Sequence, residues 1–245
     1  MNSLKIFNSI LFFFIYQILF SQFDYKVGYD YYYENSDLYK DKKAILYANK
    51  NESVFVIEDK ILDPKTLKIN DENKVVGDTI DNIEEVFKSF KESTVLSKSY
   101  IKFTKDKTIL DPMSLFIWEL IPNETKNILG YECNKAKIKF RGRDYYAFYT
   151  KEIEIKDGPW KWNNLPGLIL EVNEKNGVLK IVANNIETGN FSYSMKLDKK
   201  NTISFEKAVE EGKIKFQNKK KELEEKYNGS VNVDFSNSLE EYDLN

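Results

Sequence analysis

The chain of 245 residues contains no histidine and a single cysteine, Cys133. Without histidine, neither a Ser-His-Asp triad nor a Cys-His pair can form, and acid–base chemistry falls to carboxylates, Lys, Tyr or Cys. One cysteine cannot form an internal disulfide or supply a structural zinc site. We assign no catalytic residue, and we predict neither a metal site nor a cofactor. We interpret Cys133 as a small buried side chain in a strand rather than a reactive thiol.

Neither acidic nor basic residues are in clear excess. The sequence has 37 Lys and Arg against 39 Asp and Glu, which gives a formal net charge of −2. Proteins that bind nucleic acid usually present a basic face, so this balance argues against such a partner. A hydrophobic content of 42% and an aromatic content of 15% are sufficient for the core of one domain.

The first 21 residues have the pattern of an export signal. Lys5 is their only charged residue, an apolar stretch runs from Ile6 to Phe20, and the small residue Ser21 precedes Gln22. The apolar stretch is shorter than the roughly 20 residues of a comfortable membrane span. We predict cleavage after Ser21 and a periplasmic or secreted product without a stable membrane span. The alternative is a retained membrane anchor.

Alternation of apolar and polar residues dominates the rest of the chain and predicts strands. A first strand is expected at 25–33, and a hairpin at 44–47 and 53–57 turns at Asn49-Lys50-Asn51. A second hairpin is expected where Glu174 to Gly177 separates two apolar segments, because Gly provides the positive φ of a tight turn. The further predicted strands lie at 100–103, 108–110, 115–120, 132–140, 145–153, 168–173 and 178–184.

Two segments have helical spacing of apolar residues. One covers 78–90 with Asp78 as its N-cap, and the other runs from Ser204 to Tyr227. The predicted fold class is therefore mainly β (α+β): a large curved antiparallel sheet or half-barrel with one internal and one C-terminal helix. We expect a signal peptide at 1–21, a single β-rich domain at 22–228, and an acidic, poorly ordered tail at 229–245.

The segment from Gly158 to Val172 is the most unusual part of the sequence. It contains two Gly, two Pro and two of the three Trp, and it leads directly into an apolar strand. Gly and Pro interrupt regular structure, and two Trp side chains require a large apolar surface. With the preceding blocks from Leu115 onward, this segment resembles the signature of the GLPGLI family of exported bacterial proteins, whose function is uncharacterised. The matching motif positions are Gly158, Pro159, Leu165, Pro166, Gly167, Leu168 and Ile169, with Asn164 at a family Gly.

Two interpretations of this motif remain open. In the first, Gly158-Pro159 and Leu165-Pro166-Gly167 shape a corner, and the Trp side chains are buried against one end of the sheet. In the second, aromatic side chains form the rim of a ligand site and two arginines on one face of a strand donate to a carboxylate, phosphate or sugar hydroxyl. The binding residues of this second interpretation are Arg141, Arg143, Tyr145, Tyr149, Trp160 and Trp162.

The backbone of the corner can be predicted more closely. Pro166 fixes its own φ and pushes Leu165 into an extended conformation, so that Gly167 can adopt a positive φ in a type II-like turn. In the strand that follows, Leu168, Leu170 and Val172 should point into the core, and Glu171 towards solvent.

The leading functional hypothesis is an exported, non-enzymatic binding or carrier module for a hydrophobic or envelope-derived ligand. At the level of fold alone, the predicted sheet resembles the half-barrels of periplasmic lipoprotein carriers and the bowl-like N-terminal domain of a bacterial peptide N-glycosidase. The alternatives are an envelope-associated protein-interaction module and, third, a carboxylate-based hydrolase. The expected partners are a lipid, a glycan or an envelope protein.

Overall fold

The structure is a computed structural model that describes residues 21–33, 42–62, 65–66, 68–69, 75–76, 78–99, 101 and 103–230. The described residues form strands, a short 3-10 helix at Met113–Leu115 and one long helix, α1, at Phe205–Tyr227. The strands are β1 Ser21–Tyr33, β2 Lys42–Ala48, β3 Glu52–Leu62, β4 Lys68–Ile69, β5 Val75–Val76, β6 Thr79–Ser89, β7 Thr94–Lys98, β8 Thr108–Pro112, β9 Glu119–Ile128, β10 Tyr131–Phe140, β11 Arg143–Thr150, β12 Leu168–Glu174, β13 Leu179–Tyr193 and β14 Thr202–Ser204.

Within the described residues, twelve strands form one open sheet in the order β14-β8-β7-β6-β3-β2-β1-β13-β12-β11-β10-β9, and β4 pairs separately with β5. Neighbours are antiparallel except for β14, which runs parallel to β8. The predicted fold class, mainly β with a large curved antiparallel sheet and a C-terminal helix, is confirmed.

The inner face of the sheet encloses the main core. Leu46 and Phe55 from one half of the sheet belong to the same buried cluster as Leu170 and Ile181 from the other half. Because side chains from both halves meet, the sheet curves around this core. Burial of each such side chain contributes roughly 1.5–3 kcal/mol.

The outer face of the first half carries a second apolar cluster that includes Val54, Phe87 and Leu96. The chain leaves β13 in the middle of the sheet and enters β14 at its edge, so residues 194–201, the crossing segment, must pass over this face. Glu85 holds the start of the segment, accepting hydrogen bonds from the Tyr193 hydroxyl at 2.7 Å and the Lys196 amide at 2.9 Å.

Helix α1 begins where the sequence predicts. The Ser204 hydroxyl accepts a hydrogen bond from the Lys207 amide and caps the first turn. Phe205, Ala208 and Val209 pack against Ile101 and Ile109 at the sheet edge. The described part of the chain contains no helix with the length and apolar character needed to span a membrane.

The predicted internal helix at 78–90 is wrong, because this segment is strand β6. Val86 packs into the main core and Phe87 into the outer cluster, so both faces of the strand are buried. Apolar residues therefore occur at consecutive positions, and the period of two that marks a half-buried strand is lost. Asp78 caps no helix; its amide donates to the Thr66 hydroxyl.

Two predicted strands are also wrong. In the segment expected at 100–103, residues 100 and 102 lie outside the described residues, and Ile101 and Phe103 lie in the connection between β7 and β8. The segment expected at 115–120 begins with the last residue of the 3-10 helix and is irregular until β9 begins at Glu119. Strand β9 itself has mostly exposed, polar residues and gave no strand pattern. It is an edge strand, interrupted by Pro122 and by Asn123 at a positive φ, which are features that discourage pairing with other chains.

The corner at Leu165-Pro166-Gly167 forms, with a different turn. Gly167 has the predicted positive φ, at 150°. Its amide donates to the Leu165 carbonyl at 2.8 Å, which makes a three-residue γ-turn around Pro166 instead of a type II turn. Leu168, Leu170 and Val172 are buried as predicted, but Glu171 is buried too, because the Lys126 ammonium lies 2.5 Å from its carboxylate and covers it.

Replacing Gly167 with Ala should lower the free energy of unfolding by about 2–4 kcal/mol. A Cβ atom there would lie 1.9 Å from the carbonyl oxygen of Thr150. Gly177→Ala is the matched control, since Gly177 also has a positive φ, 82°, but its Cβ would meet nothing within 4 Å. The control should lose only about 1 kcal/mol in urea denaturation. Equal losses for the two variants would show that the contact with Thr150 is not tight.

Candidate functional site

Trp162 is the centre of an aromatic cluster beneath the inner face. Its side chain is fully enclosed, and five rings surround it with centroids 4.5–6.0 Å away. Those rings belong to Phe116, Trp118, Phe140, Tyr145 and Trp160. The prediction that Trp160 and Trp162 are buried is confirmed, and residues 157–167, the motif loop, fill one end of the core.

The ammonium group of Lys88 anchors this loop. Lys88 lies on the inner face of β6 with no exposed surface, and Asp157 is equally buried. The Lys88 Nζ atom lies 2.5 Å from Oδ1 of Asp157 and donates to the carbonyls of Gly158, at 2.6 Å, and Trp162, at 3.4 Å. Burial lowers the pKa of Lys88, and Asp157 opposes that shift. One cation thus holds both ends of the turn from 157 to 162.

A second buried ion cluster lies beside the first. Asp111 on β8 contacts Arg141 at 2.5 Å and Lys161 at 3.1 Å. Burial raises the pKa of Asp111, but Lys161 and Arg141 more than offset this and hold it below its usual value. Burial lowers the pKa of Lys161 to about 8, although Asp111 opposes the shift. The carboxylate of Asp111 therefore ties the motif loop to the sheet.

The register shows why the two clusters act together. Ser53, Lys88, Val95 and Asp111 are paired across four adjacent strands, so they form one row on the inner face. Lys88 and Asp111 are separated in this row by Val95 alone, and each binds one part of the motif loop. The loop is consequently fastened across β6, β7 and β8.

The prediction that the two arginines share one face of an extended strand is wrong. Arg141 and Gly142 have φ values of 44° and 84° and form the two-residue turn between β10 and β11, where positive φ at both positions is typical of a type I′ hairpin. The guanidinium of Arg141 lies 3.4 Å from the ring centroid of Phe205 at the start of α1. Arg143 begins β11 and is half-buried. The structure therefore brings only Arg141 into the Asp111 cluster.

The aromatic residues of the predicted binding rim are enclosed in the core. Tyr145, Tyr149, Trp160 and Trp162 are all buried, so a ligand at the surface would not reach their rings. Asn164 has a φ of 74°, and its side-chain amide donates to the carbonyls of Met113 and Phe116. Cys133 is buried as predicted, and burial raises the pKa of its thiol to about 11.

A groove of about 490 Å³ opens on the outer face of the same strands. Its floor is an apolar row, in which Phe87, Leu96 and Leu110 are paired across β6, β7 and β8. The next row on this face, at the strand ends, is polar and contains Glu52, Ser89 and Thr94. The lining is completed by Asn51, Lys91, Glu92, Lys199 and Thr202.

The crossing segment provides one wall of this groove. Its Lys199 places Nζ 3.5 Å from the ring centroid of Phe87, and the Thr108 hydroxyl fixes the segment by donating to the Asp198 carbonyl at 2.7 Å. The groove therefore combines an apolar floor, a polar end and one ammonium group. Among the described residues, no group of three or more Cys, Asp or Glu side chains is arranged to hold a metal ion.

Sequence reasoning missed the groove because its residues are distant in the chain. The signal that existed is local: Glu52 stands two residues before Val54, and Ser89 two residues after Phe87. Each pair puts a polar residue beyond an apolar one on the same face of a strand. Only the register shows that these pairs are adjacent in space.

Replacing Lys88 with Met should lower the free energy of unfolding by about 3–5 kcal/mol, because Asp157 would remain buried without its cation. Asp157→Leu should cost a similar amount for the opposite reason. The double variant should lose clearly less than the sum of the two, as measured by chemical denaturation in a double-mutant cycle. Additive losses would contradict a direct ion pair between the two side chains.

The comparisons with known proteins concern nearly the whole described region. The family model described as N-glycanase peptide, N-terminal domain, matches residues 27–210. Two crystal structures of PNGF-II, in different space groups, are 17% and 19% identical to this chain over 77% and 78% of its length, each with a TM-score of 0.47. The chain spans 33% of the length of each. No curated protein matches it.

These findings correct two hypotheses. The assignment to the GLPGLI family is wrong, because the model that matches, including the whole of 158–172, describes a different family. The carrier hypothesis and its envelope-interaction alternative are contradicted by the same match. The inner face gives a physical reason, since Trp162 and its neighbours fill the space that a hydrophobic ligand would need. Because the match covers well over half of the sequence, the chain belongs to the family of N-glycanase N-terminal domains.

Proposed function

We propose that the chain takes part in the removal of N-linked glycans from glycoproteins, and that the outer groove binds the glycan. Family membership over residues 27–210 supports the reaction class. The choice of site is supported by the groove itself, in which an apolar row and a polar row lie side by side on four strands.

The chemistry of the groove suits a carbohydrate. A sugar ring has C–H faces that pack on apolar surface and hydroxyl groups that both donate and accept hydrogen bonds. Leu110, which is 36% exposed, offers the apolar surface above the buried side chains of Phe87 and Leu96. The carboxylate of Glu52 with the hydroxyls of Ser89 and Thr94 offers acceptors and donors. The volume of about 490 Å³ is within the usual range of small-molecule sites.

In this proposal the groove recognises the glycan, and the amide bond to asparagine projects out of it towards hydrolytic residues elsewhere in an N-glycanase. The buried ion clusters on the inner face support the groove without contacting substrate. Lys88 and Asp111 have no path to a ligand on the outer face, because their side chains point into the core.

We further propose that the protein is exported, with a domain at 22–228 that begins after cleavage behind Ser21. Residues 1–20 of the predicted signal, and most of the tail at 229–245, lie outside the described residues. N-terminal sequencing of the protein from its native host should begin at Gln22. A chain that starts at Met1 and is extracted only by detergent would contradict cleavage and favour the retained membrane anchor.

Replacing Thr94 with Arg should abolish glycan binding, because a long side chain from the polar row would fill the groove. The measurement is calorimetric titration with an N-glycopeptide and with the same peptide lacking the glycan. Thr125→Arg is the matched control, since Thr125 is exposed on β9, outside the groove. Wild type and the control should bind the glycopeptide equally, and neither should bind the bare peptide.

Two results would contradict the proposal. One is a wild-type protein that binds neither the glycopeptide nor the free glycan. The other is equal binding by Thr94→Arg and Thr125→Arg, which would place the glycan outside the groove. Mass spectrometry of the peptide after each titration measures any release of glycan by the chain itself.

A further inference from the structure

Lys199 differs from most of the other cations that lie over aromatic rings in the described part of the chain. Most of these ammonium or guanidinium groups also contact a carboxylate: Lys26 contacts Glu187, Lys126 contacts Glu171, Lys135 contacts Glu124, and both Arg141 and Lys161 contact Asp111. Lys199 has no carboxylate and no hydrogen-bond acceptor within the described part of the chain, and its contact there is the ring of Phe87. Lys226 shares this condition, but it lies beside the exposed Tyr227 at the end of α1.

The neighbouring acid does not neutralise Lys199. The carboxylate of Asp198 accepts a hydrogen bond from the Lys200 amide at 2.8 Å. Within the described residues, none of the three N–H donors of the Lys199 ammonium has a hydrogen-bond acceptor, and the group lies at the wall of the groove. A cation held over an aromatic floor with its donors unused is suited to receive an anionic group.

We infer that the groove selects glycans that carry an acidic sugar, with the acidic group bound to Lys199. This inference rests on the proposed function and names its substrate class. The acidic group is a carboxylate, as in sialic acid, or a sulfate ester, because both offer charged oxygen acceptors to an ammonium.

The arrangement of the two rows orients such a glycan. Lys199 lies over Phe87 in the apolar row, whereas Glu52 belongs to the polar row at the strand ends. An anionic group is attracted by Lys199, so it occupies the part of the groove where Lys199 lies over Phe87. The hydroxyl groups of the remaining sugar then lie beside Glu52, Ser89 and Thr94, where the carboxylate can accept from them.

The test compares glycopeptides that differ only in the terminal group: neutral, sialylated and sulfated. Each is titrated calorimetrically into wild type, Lys199→Met and Lys200→Met, at low and at high salt. Wild type should bind at least one acidic glycopeptide about tenfold more tightly than the neutral one, because a charge-assisted hydrogen bond to Lys199 adds affinity. The gain is no larger because the site is exposed and the charges are partly screened. The preference should disappear in Lys199→Met and shrink in high salt, but remain in Lys200→Met, whose altered residue does not line the groove.

The identity of the preferred acidic glycopeptide distinguishes carboxylate from sulfate recognition. Equal affinity of wild type for all three glycopeptides, or a preference that survives in Lys199→Met, would overturn the inference. In both cases binding of the neutral glycopeptide, blocked by Thr94→Arg, would leave the proposed function intact. Failure of every glycopeptide to bind wild type would overturn the proposed function together with this inference.

Discussion

Lys88 places an ammonium group inside the sheet, where an uncompensated charge would be very unfavourable. Its position is tolerated because the motif loop supplies a carboxylate and two carbonyls, from Asp157, Gly158 and Trp162. The same contacts fix the loop that carries Trp162 into the middle of five aromatic rings. The cation and the loop therefore depend on each other, and the core at this end of the sheet depends on both.

This constraint extends to the opposite face through the alternation of side chains along each strand. On β6, Lys88 points inward between Phe87 and Ser89, which both point outward into the groove. On β8, Asp111 points inward next to Leu110. The inner ion clusters thus hold in register the strands whose outer faces form the groove. The unusual composition of the motif is explained by this support, and the proposed ligand site lies on the other side of the sheet.

The sequence was most informative where the physics is local. Pro166 and Gly167 predicted a corner with positive φ, and two Trp beside it predicted burial, and both features are present. The sequence predicted a helix where both faces of a strand are buried, as in β6. Val86 and Phe87 are both apolar there, and with their neighbours they produce a spacing that is also typical of a helix. The groove could not be predicted from the sequence, because only the register of the strands and the path of the crossing segment bring Glu52, Thr94 and Lys199 together. The motif also suggested the wrong family, since it covers a short part of the region that the family model matches.

In the proposed arrangement the motif supports the fold from the inner face, and substrate binds on the outer face. Nuclear magnetic resonance mapping of an isotope-labelled domain titrated with an N-glycopeptide distinguishes the two faces. We expect the signals of Ser89, Thr94, Leu110 and Lys199 to move first and most, while the indole signals of Trp160 and Trp162 stay in place. Large shifts at the two indoles, with no change along the groove, would contradict this arrangement and would support the motif loop as the ligand site.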